Sequence, residues 1–303
     1  PGLQVQGGSE GAGKRRGTGK SRSREEVDMD ELDFTARPAK NAIYDPTVAK
    51  RCFETMGKVE VQQQAGQFFG ENQNSDKMYL LVEGEVGLIR GKKVLDVVKA
   101  GEIFGEMAAI SLQPRSATAA AKTACRALSL DAKQFQSAIQ KTPEFALMLM
   151  NIIINRVRLT AALVSKNLSD TAQLQDRRVF DQALLTELEN GIPHRPRAHA
   201  PLNKVVMKEG EGGIFMYVVL TGRVAISIKS KTVDMIGPGG VFGEMALVDQ
   251  SPRAATATCM TDCELLSINR NDFLALVKSN PAFAVSLLKA LVDRLRYMTS
   301  HHK

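Results

Sequence analysis

The residues best suited to chemistry lie in one dense motif that occurs twice. The pattern Gly-x-x-Phe-Gly-Glu-Met-Ala spans 101–108 and 239–246. A glycine before Glu-Met-Ala favours a tight turn into a single helical turn, whose free backbone N–H groups attract an anion. An arginine follows nine residues after each glutamate, Arg115 in the first copy and Arg253 in the second. Its guanidinium is a fixed fork of donors that matches a phosphate group.

The glutamates of the motif, Glu106 and Glu244, are acceptors that would repel a phosphate, so they fit best beside hydroxyl groups such as those of a ribose. A site with an anion-binding group beside an acceptor for hydroxyl groups would suit a sugar phosphate that carries one negative charge. The alternative is a structural ion pair between Glu106 and Arg115, repeated between Glu244 and Arg253. The whole motif is retained in both copies while positions between glutamate and arginine differ, which favours the ligand.

The motif belongs to a longer internal repeat, which determines how the chain is organised. When the chain is aligned with itself at an offset of 138 residues, 79–145 matches 217–283 without a gap, with 23 identities in 67 positions. The chain therefore contains one module used twice.

Each module is predicted to be mainly β, because short apolar runs are separated by turn residues, and to end in a helix with apolar residues at i, i+3 and i+4. Prolines precede these helices, a position where proline is tolerated. The predicted strands are Met78–Ile89, Leu95–Val98 and Arg126–Leu130 in the first module and Met216–Ile228, Val233–Ile236 and Glu264–Ile268 in the second. The predicted helices are Glu144–Ser165, about 174–189, and Ala282–Met298.

Both motifs resemble the phosphate-binding cassette of the cyclic-nucleotide-binding domain family. The resemblance implies a mainly β fold with flanking α-helices: two tandem eight-stranded β-roll (jelly-roll-like) domains, each with a C-terminal helix. We expect a disordered arm at 1–40 with a basic block before an acidic one, domain A at 41–166, and domain B with a linker helix at 167–303.

The resemblance also implies roles for individual residues. Glu106 and Glu244 would accept the ribose 2′-hydroxyl, and Arg115 and Arg253 would bind the cyclic phosphate. Backbone amides would line the same pockets at Gly105, Ala108 and Ser116 in domain A and at Gly243, Ala246 and Ala254 in domain B.

Two departures distinguish the first copy. In the family, a hydroxyl residue at position 116 is associated with cGMP and an alanine, as at position 254, with cAMP, so the second site resembles a cAMP site and the first is more permissive. The turn before the tyrosine strand is Glu71-Asn72 in domain A and Glu209-Gly210 in domain B. Asparagine tolerates a left-handed backbone less well than glycine.

These features predict a regulatory protein that senses a cyclic nucleotide, cAMP in preference to cGMP. Binding would move the C-terminal helices and change contacts with an unidentified protein partner. A second hypothesis is the regulatory subunit of a cAMP-dependent kinase, which holds the catalytic subunit through Arg15-Arg16-Gly17-Thr18. A third is a degenerate scaffold that binds no ligand, and a fourth is a basic arm that grips nucleic acid or membrane.

Composition argues against several further classes. The 303 residues are 44% apolar and carry a net charge of +7, as expected of a modestly basic cytoplasmic protein. The four histidines, His194, His199, His301 and His302, form no catalytic set, and the four cysteines show no metal-ligand spacing, so we expect no enzyme and no cofactor beyond the ligand, cAMP or cGMP. Prolines in the linker disfavour a DNA-recognition helix, and no apolar run reaches the length of a membrane span.

Overall fold

The computed structural model describes residues 26–28, 46–164, 178–191 and 197–300. In the first repeat it has helix α1 (Pro46–Met56), strands β2 (Lys58–Gln62), β3 (Gln67–Phe69), β4 (Met78–Glu83), β5 (Glu85–Arg90), β6 (Lys93–Lys99) and β7 (Ile103–Phe104), helix α2 (Glu106–Ser111), strands β8 (Thr118–Ala121) and β9 (Cys125–Leu130), and helices α3 (Ala132–Lys141) and α4 (Glu144–Val164).

The second repeat follows the same order. It has helix α5 (Gln182–Gly191), strands β10 (Arg197–Ala200), β11 (Val205–Met207), β12 (Phe215–Thr221), β13 (Val224–Ile228), β14 (Lys231–Ile236) and β15 (Val241–Phe242), helix α6 (Glu244–Asp249), strands β16 (Thr256–Cys259) and β17 (Cys263–Asn269), and helices α7 (Arg270–Ser279) and α8 (Pro281–Ser300).

Each repeat folds its eight strands into two four-stranded sheets. The strand orders are β2-β9-β4-β7 and β3-β8-β5-β6 in domain A, and β10-β17-β12-β15 and β11-β16-β13-β14 in domain B. The pairings within each repeat are antiparallel. Two tandem eight-stranded β-rolls with flanking helices confirm the predicted fold class.

The long apolar runs predicted as single strands are each divided in two. Gly84 separates β4 from β5, and Gly222 separates β12 from β13, so that the chain passes from one sheet of the roll to the other. Both glycines are left-handed, with φ of 92° and 85°. The prediction of one strand with a mid-strand glycine was wrong. The apolar pattern continues through the corner, but the extended backbone conformation is interrupted there.

The C-terminal helices α4 and α8 bury one core between the two domains. One cluster of buried residues includes Phe145, Leu149 and Ile153 from α4 together with Leu288 and Leu295 from α8. The apolar stripe predicted on each helix is therefore used both against its own roll and against the other repeat. Such a shared core makes the position of each helix depend on the other domain.

The linker helix begins later than predicted. Residues 178–181, which directly precede α5, are not helical. The carboxylate of Asp181 accepts a hydrogen bond from the backbone N–H of Leu184 at 2.8 Å, which caps the start of the helix. Phe180 stacks on Phe283 of α8, with ring centroids 5.4 Å apart. Residues 165–177, where the helix was expected to begin, lie outside the described residues.

Within the predicted disordered arm, the structure describes three residues as strand β1 (Glu26–Asp28), which pairs in parallel with β10. The expectation of an arm without regular structure does not hold for these three residues. Backbone pairing with a sheet edge supplies hydrogen bonds without an apolar side-chain pattern. The rest of 1–40 lies outside the described residues, and the domain bounds stay a prediction.

We predict that Gly84→Ala destabilises the protein by at least about 2 kcal/mol, because it combines backbone strain with a collision. A Cβ atom there would meet the carbonyl oxygen of Ala124 and lie 2.7 Å from Sγ of Cys125. Gly91 is the matched control, since it is also left-handed, with φ of 54°, but has open space around it. Gly91→Ala should cost about 1 kcal/mol. Equal losses for both variants in denaturant titrations would contradict the role assigned to the corner.

Candidate functional site

Each cassette helix begins at a glycine that no other residue replaces easily. Gly105, before α2, has φ of 74°, and Gly243, before α6, has φ of 82°. A Cβ atom on Gly105 would lie 2.8 Å from Nη1 of Arg115 and 2.9 Å from Cε1 of Phe69. The predicted tight turn into a short helix is confirmed, but α2 and α6 have six residues each, more than the single helical turn expected. The glycine makes room for the arginine.

Arg115 is held under this turn by a nearly complete set of contacts. Its Nη1 donates to the carbonyl of Gly105 at 2.7 Å, and its Nη2 donates to Ser75 Oγ at 2.8 Å and to the carbonyl of Lys77 at 2.6 Å. The guanidinium lies over the ring of Phe69, 3.9 Å from its centroid. The side chain is 2% exposed, and its buried Nε has no partner among the described residues.

Arg253 occupies the same position in the second repeat. Its Nη1 donates to the carbonyl of Gly243 at 2.8 Å and its Nη2 to that of Phe215 at 2.6 Å. Gly213 stands where domain A has Ser75, and a Cβ atom there would collide with the Arg253 guanidinium. Burial lowers the pKa of both Arg115 and Arg253, although each has the charge of its cassette glutamate nearby to raise it. Both sites therefore hold a desolvated positive charge.

The two glutamates are paired with arginines that the cassette motif does not contain and that the sequence-based prediction missed. Glu106, 1% exposed, binds Nη1 of Arg156 on α4, and Glu244, 3% exposed, accepts from Nη1 of Arg294 on α8 at 2.6 Å. The alternative of an ion pair between Glu106 and Arg115, repeated between Glu244 and Arg253, is therefore not what the described contacts show. Arg156 and Arg294 are themselves 138 residues apart, and extending the repeat into the helices would have found them.

Burial alone would lower the pKa of Arg294, but the charge and hydrogen bond of Glu244 raise it overall. The guanidinium of Arg294 thus stays charged inside the protein. In each repeat, one buried carboxylate now connects the cassette to the C-terminal helix.

The remaining predicted site residues lie around these groups. Ala108 and Ala246 are buried inside the cassette helices, and the carbonyl of Ala108 accepts the N–H of Leu112 that closes α2. Ser116 directly follows Arg115, and its carbonyl accepts from Nε of Arg90 at 3.0 Å. Ala254 packs against the core shared by the domains. That their amides contact a ligand stays a prediction.

Each cassette is also contacted by the helix of the other repeat. Arg158 on α4 binds the carboxylate of Asp249 through Nε at 2.5 Å and Nη2 at 3.0 Å, and its Nη1 donates to the carbonyl of Pro252 at 3.0 Å. Arg296 on α8 donates from Nη1 to the carbonyl of Pro114 at 3.0 Å. Arg158 and Arg296 are equivalent in the repeat, as are Pro252 and Pro114. Each domain therefore contributes an arginine of its C-terminal helix to the cassette of the other domain.

Neither a metal cluster nor a single membrane-spanning helix is found in the described part of the chain. Within those ranges, no group of three or more His, Cys, Asp or Glu side chains is placed to hold a metal ion. No single helix in the same ranges is long and apolar enough to cross a membrane; α7 and α8 pass that test only as a pair, and they are bent by 110°.

We predict that Glu106 and Arg156 are energetically coupled. Arg156→Ala should lower the free energy of unfolding by about 2 kcal/mol, because it leaves a buried carboxylate without its charged partner. Glu106→Gln should reduce this loss, giving a coupling of at least about 1 kcal/mol in a double-mutant cycle. The exposed pair Glu83–Arg126 provides the control cycle, where solvent screening should leave coupling within error. Additive effects at Glu106 and Arg156 would contradict the pairing.

Comparison with known proteins identifies both repeats. The family described as "Cyclic nucleotide-binding domain" matches residues 61–142 and 197–280, more than half of the chain. Among curated relatives, the chain is 34% identical over 115 residues to the cyclic AMP receptor protein of Thermus thermophilus, covering 36% of this chain and 53% of that protein. It is 27% identical over 203 residues to a cGMP-dependent protein kinase of Eimeria tenella, covering 66% of this chain and 18% of that protein.

The chain thus spans about half or less of the length of these relatives. The solved structure described as "cAMP bound PfPKA-R (141-441)" is 22% identical and covers 80% of both chains, with a TM-score of 0.31. The match of the family over both repeats, at the positions where the cassettes fold, agrees with the resemblance inferred from the motifs. The chain belongs to the cyclic nucleotide-binding domain family.

Proposed function

We propose that the chain senses a cyclic nucleotide at two sites, one in each repeat, and takes cAMP in preference to cGMP at the second. Ligand binding shifts α4 and α8 and thereby changes the contacts of the protein with a protein partner. The observation that carries this proposal is the buried arginine and buried glutamate on opposite ends of each cassette.

The arginine supplies the anion-binding part of the site. Arg115 and Arg253 are fixed by neutral carbonyl and hydroxyl acceptors, and within the described ranges neither guanidinium makes a direct ion pair. A buried donor without a partner, such as Nε of Arg115, costs about 1–3 kcal/mol. A cyclic phosphate carries one negative charge, and one unpaired arginine in each site matches that charge.

The glutamate links the ligand to the helix. Glu106 and Glu244 each use Oε1 to accept from a helix arginine, and a carboxylate has acceptor capacity left for a ribose hydroxyl on its other oxygen. A ribose that moves this carboxylate also moves the arginine on α4 or α8. The ligand therefore has different affinity for two helix positions, which is the condition for a population shift.

The choice of nucleotide rests on the family pattern at the residue after the arginine, Ser116 in the first site and Ala254 in the second. No catalytic step is proposed for either site. The predicted kinase-binding segment, Arg15-Arg16-Gly17-Thr18, lies outside the described residues, and a kinase catalytic subunit as the partner stays a prediction.

We predict that calorimetric titration of cAMP detects two sites, each abolished by loss of its own arginine. Arg115→Ala should remove the first site and Arg253→Ala the second, because each deletes the phosphate partner. Arg126→Ala is the matched control, since it removes the same charge from an exposed position, 46% accessible, that pairs only with Glu83 among the described residues. It should leave both sites intact.

Thermal unfolding of each variant, followed with and without nucleotide, separates lost binding from lost folding. A folded wild-type chain that gives neither heat nor a thermal shift with cAMP and cGMP would overturn the proposal. The repeats would then be a scaffold that retains the fold without the ligand.

A further inference from the structure

We propose that Arg296, on α8 of the second repeat, completes the first site and selects a guanine base there. The equivalent arginine at the second site is already engaged. This inference rests on the proposed function of the first site and adds which ligand that site prefers: cGMP over cAMP.

Arg296 contacts the first cassette while two of its three guanidinium nitrogens have no partner among the described residues. Its Nη1 donates to the carbonyl of Pro114, the residue before Arg115. Its Nε and Nη2 atoms are buried and have no hydrogen-bond partner among the described residues. These two nitrogens form one edge of the guanidinium and carry two parallel N–H donors. A donor fork without a hydrogen-bond partner among the described residues therefore lies beside the first cassette.

The surroundings of Arg296 place it close to the ligand-binding groups. Burial lowers its pKa, while the charges of Asp293 and Glu106 act in the opposite direction. Glu106 is the carboxylate assigned to the ribose, so its charge is felt at the guanidinium. The charge of Arg296 also acts on Arg115, so its guanidinium lies near both cassette groups. Because the phosphate is assigned to Arg115, the donor fork of Arg296 is assigned to the base.

At the second site, the equivalent arginine is occupied by the protein itself. Arg158 uses the same edge, Nε and Nη2, to bind Asp249 in a bidentate ion pair, and its Nη1 is taken by the carbonyl of Pro252. The residue equivalent to Asp249 in the first repeat is Ser111. The hydroxyl of Ser111 donates to the carbonyl of Met107 within its own helix at 2.7 Å. One substitution between the repeats therefore leaves the fork of Arg296 open.

A second difference fixes α8 against the first site. Arg90, at the end of β5, donates from Nε to the carbonyl of Ser116 and from Nη1 to the carbonyl of Thr299 at 3.2 Å. Its counterpart in the second repeat is Ile228, which cannot form such a bridge. The end of α8 is thereby tied to the residue that follows Arg115, and Arg296 is held three residues before that tie.

Guanine is the base that fits two parallel donors. Its O6 and N7 atoms are adjacent acceptors, and arginine binds them in a bidentate manner. Adenine offers N7 as an acceptor but presents its amino group, a donor, beside it. Arg296 would satisfy both of its buried donors on guanine and only one on adenine, where it would also face a second donor.

The experiment measures nucleotide affinity at the first site alone. In the Arg253→Ala variant of the chain, whose second site is disabled, calorimetry should show cGMP binding at least about tenfold tighter than cAMP. Arg296→Lys, which keeps the charge but loses the fork, should remove most of that preference by weakening cGMP. The cAMP affinity should change less than about threefold, since adenine uses at most one donor.

Exchange of the residues that distinguish the repeats provides the reciprocal test. Ser111→Asp should fill the fork of Arg296 and lower cGMP affinity at the first site about tenfold, as Asp249 does to Arg158. In Arg115→Ala protein, Asp249→Ser should free the fork of Arg158 and raise cGMP affinity at the second site. Neither exchange removes a residue assigned to the phosphate or the ribose.

The two proposals for the first site fail in different ways. If the Arg253→Ala protein is folded and binds neither nucleotide, the proposed function of the first site is wrong. If it binds both nucleotides with equal affinity, or if Arg296→Lys leaves the cGMP preference unchanged, the site stands and the guanine assignment to Arg296 is overturned.

Discussion

The ion pair between each cassette glutamate and an arginine of the C-terminal helix is the interaction on which the rest of this structure depends. Glu106 pairs with Arg156, and Glu244 pairs with Arg294, so each pair joins a cassette to a C-terminal helix. Removal of either partner would leave the other charge buried and uncompensated. Each pair therefore connects the cassette to the C-terminal helix, and the proposed ligand-driven helix shift depends on this connection.

The arginine two residues further along each helix extends this connection to the other domain. Residues two apart on a helix point to nearly opposite sides, so Arg156 meets its own cassette while Arg158 meets the other one. Arg294 and Arg296 repeat the arrangement from α8. Since α4 and α8 also bury a common core, each helix contacts both cassettes.

The sequence predicted the fold class and located the two cassettes, while the ligand contacts of the cassette residues stay a prediction. The repeat at 138 residues and the retained cassette were sufficient to locate Gly105, Glu106 and Arg115 and their partners in domain B. The strand corners at Gly84 and Gly222 were missed because the apolar run continues through them. The helix arginines were missed because their role depends on how α4 and α8 rotate against the rolls, which periodicity alone does not fix. At Asn72 the structure shows less difference between the repeats than the sequence indicated. Asn72 adopts φ of 63° at the turn where domain B has Gly210, so asparagine takes the same left-handed geometry although it tolerates it less well than glycine.

The most direct test of this account is whether ligand moves the helix. The four native cysteines are buried, so spin labels can be attached selectively to Leu159→Cys on α4 and Val94→Cys on β6, which replace side chains that are 69% and 57% exposed. The distance distribution between the labels should shift when cyclic nucleotide saturates the first site, and the shift should be lost in Glu106→Gln protein even at saturation. An unchanged distribution in a chain shown to have bound the nucleotide would contradict the coupling of cassette to helix.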